Sequence, residues 1–282
     1  MLQTVNELSA LRDRVAEWKR AGLRAAFVPT MGNLHAGHFS LIELARSHAD
    51  RVVASVFVNP TQFGPNEDFN RYPRTPDADA QGLEAAGCDL LWLPSVETMY
   101  PYGVEATVRV SVPGVTETLE GPHRPGHFDG VATVVARLFN QVQPDVAVFG
   151  RKDYQQLAVI RYMVRDLAFP IEIVAAETKR EPEGLAMSSR NQYLSAEERS
   201  RAAEIHRCLQ AMREATRAGA SRQGVEVEAT RRLSDAGFVV DYAVVRDQTL
   251  GLPAEGQGGP FVALIAARLG RTRLIDNLEF EA

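Results

Sequence analysis

Cysteine is nearly absent from this chain: Cys88 and Cys208 are the two it has, far apart and without C-x-x-C spacing. Neither a disulfide framework nor a zinc knuckle is indicated. Excess positive charge is missing too. Lys and Arg number 31 against 36 Asp and Glu, a formal net charge of −5, which offers nucleic acid no broad electrostatic attraction. No apolar run is long and clean enough to span a bilayer. The first residues carry Glu7, Arg12, Asp13, Arg14 and Glu17 where a signal peptide would have its apolar core. These absences predict a cytoplasmic protein bound to neither membrane nor nucleic acid. Internal repeats and low-complexity segments are lacking as well. The length of 282 residues suffices for two domains.

What is present is an alternation of helix-like and strand-like segments. Val5, Leu8, Leu11, Val15 and Trp18 recur at three- and four-residue spacing, predicting a helix ended by Gly22. Strands are expected at 25–29, 51–58, 89–93, 145–149 and 171–175, with helices from 39, over 77–86 before Gly87, over 131–142 and over 155–167. Val108, Val110 and Val112 alternate with polar residues and suggest a half-exposed excursion. This order implies an α/β fold, a doubly wound parallel (Rossmann-like) sheet that binds ligands at the carboxyl ends of its strands. After about residue 177 the pattern changes to helices around 196–217 and 224–236 and strand-like runs at 239–245, 261–267 and 272–275. The expected domains are therefore 1–177, binding nucleotide and substrate, and 178–282, a smaller α+β domain forming a lid over the active site.

The most informative segment is Met31-Gly32-Asn33-Leu34-His35-Ala36-Gly37-His38, between the first long strand and a helix. A strand ending in a glycine turn that opens a helix presents unpaired backbone N–H groups at the positive end of the helix dipole, a geometry that binds phosphate. His35 and His38 share one face of the first helical turn. Imidazoles there can donate to the charge that builds during displacement at an α-phosphorus. The plainer alternative is that they cap the helix or sit in the core. His-x-Gly-His in this setting resembles the signature of the adenylate-forming nucleotidyltransferase superfamily, which includes class I aminoacyl-tRNA synthetases.

Three more clusters fall near strand ends. Asn59-Pro60-Thr61-Gln62-Phe63-Gly64 offers amides that accept from a hydroxyl and donate to a carboxylate without adding charge, although Asn-Pro is also ordinary turn chemistry. In Gly150-Arg151-Lys152-Asp153-Tyr154-Gln155-Gln156, Gly150 permits close backbone approach and Lys152 is a mobile point charge for phosphate; a solvated charge cluster is the competing explanation. Met187-Ser188-Ser189-Arg190 follows the charged loop Lys179–Gly184, and its hydroxyls and guanidinium fit triphosphate oxygens.

Together these segments resemble the pantothenate synthetase (pantoate–β-alanine ligase) family, nearly from end to end. The likeness extends to Tyr72-Pro73-Arg74-Thr75, Arg124-Pro125-Gly126-His127-Phe128, Ala266-Ala267-Arg268-Leu269-Gly270 and Arg273-Leu274-Ile275-Asp276-Asn277. It implies a two-step ATP-dependent ligation of pantoate to β-alanine through pantoyl adenylate. By position it makes His38 the proton donor, with His35, Lys152 and Arg190 as further catalytic residues. ATP falls to Met31–His38, Gly150–Asp153, the backbone at Lys179 and Met187–Arg190. Gln62 and Gln156 hold pantoate, Gln62 also facing β-alanine, with Asn59 and Met31 completing the substrate pocket. Mg²⁺ between phosphates is implied, with Asp79 a candidate ligand, and so is a homodimer.

Physical chemistry adds an emphasis. A carboxylate needs no deprotonation at neutral pH, so the two histidines act chiefly as hydrogen-bond donors. Ala36 stands for the family's usual Glu, and Arg151 for another, reversing a charge beside the ATP site. His48, His123 and His206 match no motif and are expected at the surface. Two other functions compete. An adenylyltransferase acting on a phosphate would need cations in place of Gln62 and Gln156. A nucleotide-binding regulator would have lost part of the His pair, Lys152 or the Ser-Ser-Arg segment.

Overall fold

The computed structural model describes every residue except Pro65, Asn66, Asp68 and Glu255. Its strands are β1 (Gln3–Val5), β2 (Ala25–Thr30), β3 (Arg51–Val56), β4 (Leu90–Trp92), β5 (Val146–Gly150), β6 (Glu172–Ala176), β7 (Val239–Asp247), β8 (Pro260–Leu269) and β9 (Thr272–Glu281). Its helices are α1 (Leu8–Arg20), α2 (Ala36–His48), α3 (Pro76–Ala85), α4 (Val96–Met99), α5 (Glu120–His123), α6 (His127–Val142), α7 (Tyr154–Asp166), α8 (Ala196–Ala202), α9 (Glu204–Arg217) and α10 (Arg222–Asp235). The chain divides into two compact units, residues 1–151 with 155–177, and residues 152–154 with 178–282.

In the first unit, six strands pair in parallel in the order β1-β4-β3-β2-β5-β6. The two-residue period of a strand explains why both faces of the sheet are apolar. Phe27, Val53, Trp92 and Phe149 point to one core, with Leu11, Trp18 and Phe139. Their chain neighbours Val28, Val52, Leu91 and Val148 point to the other, with Ile42 and Leu83. The connections through α2 and α3 move the chain outward through β3 and β4, while α6 and α7 lead it back through β5 and β6. A right-handed crossover must therefore place α2 and α3 on one face and α6 and α7 on the other. The reversal occurs between β2 and β5, so the ends of these two strands, Thr30 and Gly150, flank the natural ligand crevice of such a sheet.

The second unit is a three-stranded antiparallel sheet, β7-β8-β9. Ile205, Cys208, Leu209 and Met212 of α9 repeat at helical spacing, as do Val225, Ala229 and Leu233 of α10. Both stripes enter one core with Ala243 and Val245 of β7 and Phe261, Ile265 and Ala267 of β8, α9 packing on β8 and β9 and α10 on β7 and α9.

Two differences from the sequence reading have local causes. Val5 belongs to the short edge strand β1, which pairs with β4 and is too brief to display a period. The helical run from 196 is two helices that break at Ala203.

Candidate active site

Thr30 closes β2 by donating from Oγ1 to the Ser55 carbonyl at 2.7 Å. The turn that follows requires glycine, because Gly32 has φ +85° and an added Cβ would lie 3.0 Å from Val56 Cγ1 and 3.1 Å from Asp79 Oδ2. Asn33 is also left-handed, at φ 52°, a conformation its short polar side chain tolerates. The next two backbone donors go to the buried Asp79: Asn33 N–H reaches Oδ2 at 2.9 Å and Leu34 N–H reaches Oδ1 at 2.7 Å. Thr75 Oγ1 donates to the same carboxylate at 3.0 Å.

One expectation changes here. The turn is not an open nest of unpaired N–H groups, since those of Asn33, Leu34, His35 and Gly37 are all satisfied internally. Asp79 holds the turn through these bonds. Among the described residues, no three His, Cys, Asp or Glu side chains gather as a metal cluster.

The histidines do cap the helix, and the capping prepares them as donors. His35 is the N-cap of α2, its Nδ1 accepting from Gly37 N–H at 3.1 Å, while His35 N–H donates to His38 Nδ1 at 3.3 Å. Their ring centroids are 4.2 Å apart. An Nδ1 that accepts carries no proton, so each neutral ring holds its hydrogen on Nε2. Ala36 begins α2 directly after this cap.

Past β3, a 3₁₀ turn at Pro60–Gln62 brings together Met31, Asn59 and Gln62. Gln62 Nε2 donates to Met31 Sδ at 3.2 Å, and its Oε1 accepts from Asn59 Nδ2 at 3.0 Å. Asn59 is fixed in turn by Tyr100, whose hydroxyl donates to Asn59 Oδ1 at 2.6 Å, and by the Gly130 carbonyl at 3.1 Å. Behind the turn, His127 Nδ1 donates to the Gln62 carbonyl at 2.8 Å. Its Nε2 accepts from Arg124 at 2.9 Å, and Arg124 grips Glu67 through both carboxylate oxygens at 2.8 and 2.7 Å. Burial first, and the Arg124 charge second, lower the His127 pKa to about 4.

The glutamine pair splits. Gln155 is buried and structural, accepting from Glu120 N–H at 2.9 Å and donating to the Val115 and Thr118 carbonyls, both at 2.8 Å. Gln156, the expected pantoate ligand, stands half-buried in the first turn of α7. Gly150 ends β5, and Arg151 pairs with Glu177 at 2.6 Å, so its reversed charge meets a carboxylate of the same unit.

In the second unit, Lys152 Nζ lies 3.6 Å from Asp153. Lys179 accepts from Met187 N–H at 2.9 Å. Ser188 caps a 3₁₀ turn at Ser189–Tyr193 by accepting from Arg190 N–H at 3.2 Å.

Sequence reasoning assigned no role to Tyr100, Gly130 or His127, although His127 stands in the Arg124–Phe128 motif. The signal available for His127 was an imidazole opening a helix directly after a glycine. Of the histidines expected at the surface, His123 is exposed. His206 is half-buried, with an Nδ1 that lacks a hydrogen-bond partner among the described residues.

A doubly wound parallel sheet whose central strand ends in this glycine turn and histidine pair is of the α/β class that binds ligands where its strand order reverses. The model of the pantoate–β-alanine ligase family matches residues 3–279, and the chain belongs to that family. It is 69% identical over 281 residues to a pantothenate synthetase of Xylella fastidiosa (strain 9a5c), covering 99% of this chain and 100% of that one. Identity to a pantothenate synthetase of Stenotrophomonas maltophilia (strain K279a) is 68% over 280 residues, with 99% and 100% covered. A crystal structure of pantothenate synthetase from Thermus thermophilus superposes with a TM-score of 0.89 at 48% identity, covering 98% of each chain. The pantoate–β-alanine ligase of Francisella tularensis, complexed with beta-gamma ATP and β-alanine, gives 0.82 at 32% identity, covering 99% of this chain and 97% of that one.

Proposed function

We infer that this chain condenses (R)-pantoate with β-alanine at the expense of ATP, yielding pantothenate, AMP and pyrophosphate. The observation that carries the reading is full-length membership of the ligase family. The Met31–Asn59–Gln62 cluster supports it, being uncharged where a phosphate acceptor would call for cations.

A carboxylate is a poor electrophile and must be activated first. A carboxylate oxygen of pantoate attacks the α-phosphorus, the bond to the β-phosphate oxygen breaks, and pyrophosphate leaves. The β-alanine nitrogen then attacks the acyl carbon of pantoyl adenylate, loses a proton, and displaces AMP. His35 and His38 donate from Nε2 to the charge developing in the first step, with His38 the principal donor. Lys152, the Lys179 backbone, Met187, Ser188, Ser189 and Arg190 bind the nucleotide together with Met31–His38 and Gly150–Asp153. Gln62 and Gln156 orient pantoate, and Gln62 also faces β-alanine.

Mg²⁺ bound with ATP would supply neutralisation of the phosphate charge. The chain fits an ion carried by the triphosphate rather than a protein cage, in keeping with the few protein ligands Mg²⁺ usually takes and with an Asp79 occupied by the turn. The protein acts in the cytoplasm as a homodimer, which light scattering tests. The domain 178–282 serves as a lid, tested by an ATP-dependent change in energy transfer between labels on the two domains.

The reaction itself is tested by isotope exchange. Labelled pyrophosphate should enter ATP with pantoate present and β-alanine absent, and adding β-alanine should then yield AMP and pantothenate. Exchange only with a phosphorylated acceptor would mean an adenylyltransferase, and no exchange at all a regulator.

A further inference from the structure

β9 carries a polar pair, Asp276 and Asn277, each only 4% exposed in a strand that otherwise serves a small sheet. Adjacent strand residues face opposite sides. Asp276 lies on the side of Leu274 and Phe280, which belong to the core of this unit. There it holds Arg180 in a bidentate pair, at 2.6 and 3.0 Å. Arg180 also donates to the Gly184 carbonyl at 3.0 Å. It stands at the base of a hairpin closed by Glu181 N–H to the Leu185 carbonyl at 2.8 Å and Met187 N–H to the Lys179 carbonyl at 2.9 Å. Met187–Arg190 leaves directly from that hairpin.

Asn277 and Glu279 share the opposite side. Asn277 Nδ2 donates to the Lys152 carbonyl at 2.8 Å, and Glu279 accepts from the Tyr154 hydroxyl at 2.8 Å. One strand thus grips, from its two faces, the turn that bears Lys152 and the hairpin that delivers Ser188, Ser189 and Arg190.

We propose that Asp276 and Asn277 are positioning residues for ATP, setting the spacing between Lys152 and the Ser188–Arg190 segment. This rests on the ATP-dependent ligation above. Asp276 is buried, Arg180 is half-buried, and the pair is multiply hydrogen-bonded, an arrangement that fixes geometry when intact and disrupts it when one partner is removed. Neither side chain needs to touch the nucleotide.

The test is calorimetric titration of Mg·ATP and of pantoate, separately, into wild type and Asn277→Ala, Asn277→Leu, Asp276→Ala and Asp276→Asn, with folding checked by circular dichroism. Mg·ATP binding should weaken about tenfold in Asn277→Leu and Asp276→Ala, while pantoate affinity stays within twofold. Asp276→Asn keeps an acceptor for Arg180 and should lose less than Asp276→Ala. Unchanged ATP affinity in the folded variants, or equal losses for both ligands, overturns the proposal. Because binding is read without turnover, a wild type that binds ATP yet fails the exchange assay would sink the proposed reaction and leave the positioning to be judged on the same titrations.

Discussion

His127 donates through Nδ1 to the main-chain carbonyl of Gln62 at 2.8 Å and accepts at Nε2 from Arg124 at 2.9 Å. Its tautomer is therefore opposite to that of His35 and His38, and its role is to hold the backbone of the Pro60–Gln62 turn. Burial disfavours a charged ring, and a second proton would also place an N–H donor against the Arg124 guanidinium, so the pKa falls to about 4 against an ordinary 6.5.

That depression has a definite sign. Between about pH 6.5 and 4 the unfolded chain binds a proton at this position and the native protein does not. Stability is therefore fully present above pH 6.5 and falls with acidification, by about 1 kcal/mol per pH unit from this group. His127→Asn should flatten this part of the profile. Urea unfolding of both proteins at pH 7 and pH 5 checks it, and identical acid sensitivity would assign the loss to other groups.

Gly130→Ala should damage the same turn from the other side. A Cβ there would lie 2.6 Å from the Thr61 carbonyl carbon and 2.7 Å from Gln62 Cα, both backbone atoms that cannot swing away. The expected cost is about 1–3 kcal/mol of stability, together with weaker pantoate capture and ATP affinity nearly unchanged. Denaturant titration and calorimetry measure the two effects. A variant of wild-type stability and pantoate affinity would show that α6 shifts freely at this point.

The doubly wound sheet was legible because buried parallel strands are continuous apolar runs with β-branched residues, as in Arg51–Val56, and because glycines punctuate the helix ends. The strands of the small sheet were readable as three runs, although β9 continues past the expected end at 275 to Glu281. Clustering was harder to read. Met31, Asn59 and Gln62 meet because β2 and β3 are neighbours in register, a fact of pairing that one-dimensional spacing does not carry. Asp79 is a candidate metal ligand by sequence, and its part in anchoring the glycine turn was not legible. Its hydrogen bonds to residues 33 and 34 span over forty positions. Gln155 and Gln156 are adjacent and alike in type, and only packing shows that one ties down the 115–120 loop.

Asp79→Ala separates anchor from metal ligand. Removing the carboxylate leaves the Asn33 and Leu34 N–H groups without their partner, at a penalty of about 1–3 kcal/mol, and loosens the turn that leads into His35. The KM for ATP should rise about tenfold, while the Mg²⁺ concentration giving half-maximal exchange stays where it is in wild type. A displaced Mg²⁺ dependence with an unaltered KM for ATP would return Asp79 to the metal.

His38→Ala tests the donor pair. The side chain has two duties, accepting His35 N–H at Nδ1 and donating from Nε2, and alanine removes both. Loss of one preorganised donor to developing charge costs about 10²–10³ in rate. The lost capping contact costs about 1 kcal/mol of stability and does not explain so large a kinetic effect. His38→Asn divides the duties, because its carbonyl can accept near the Nδ1 position while its shorter amide does not reach as far as Nε2. Pantoate-dependent pyrophosphate exchange should fall by the same two to three orders of magnitude in both variants, with thermal stability restored only in His38→Asn. Exchange reduced less than tenfold in His38→Ala would remove this histidine from the chemistry and leave it a helix cap.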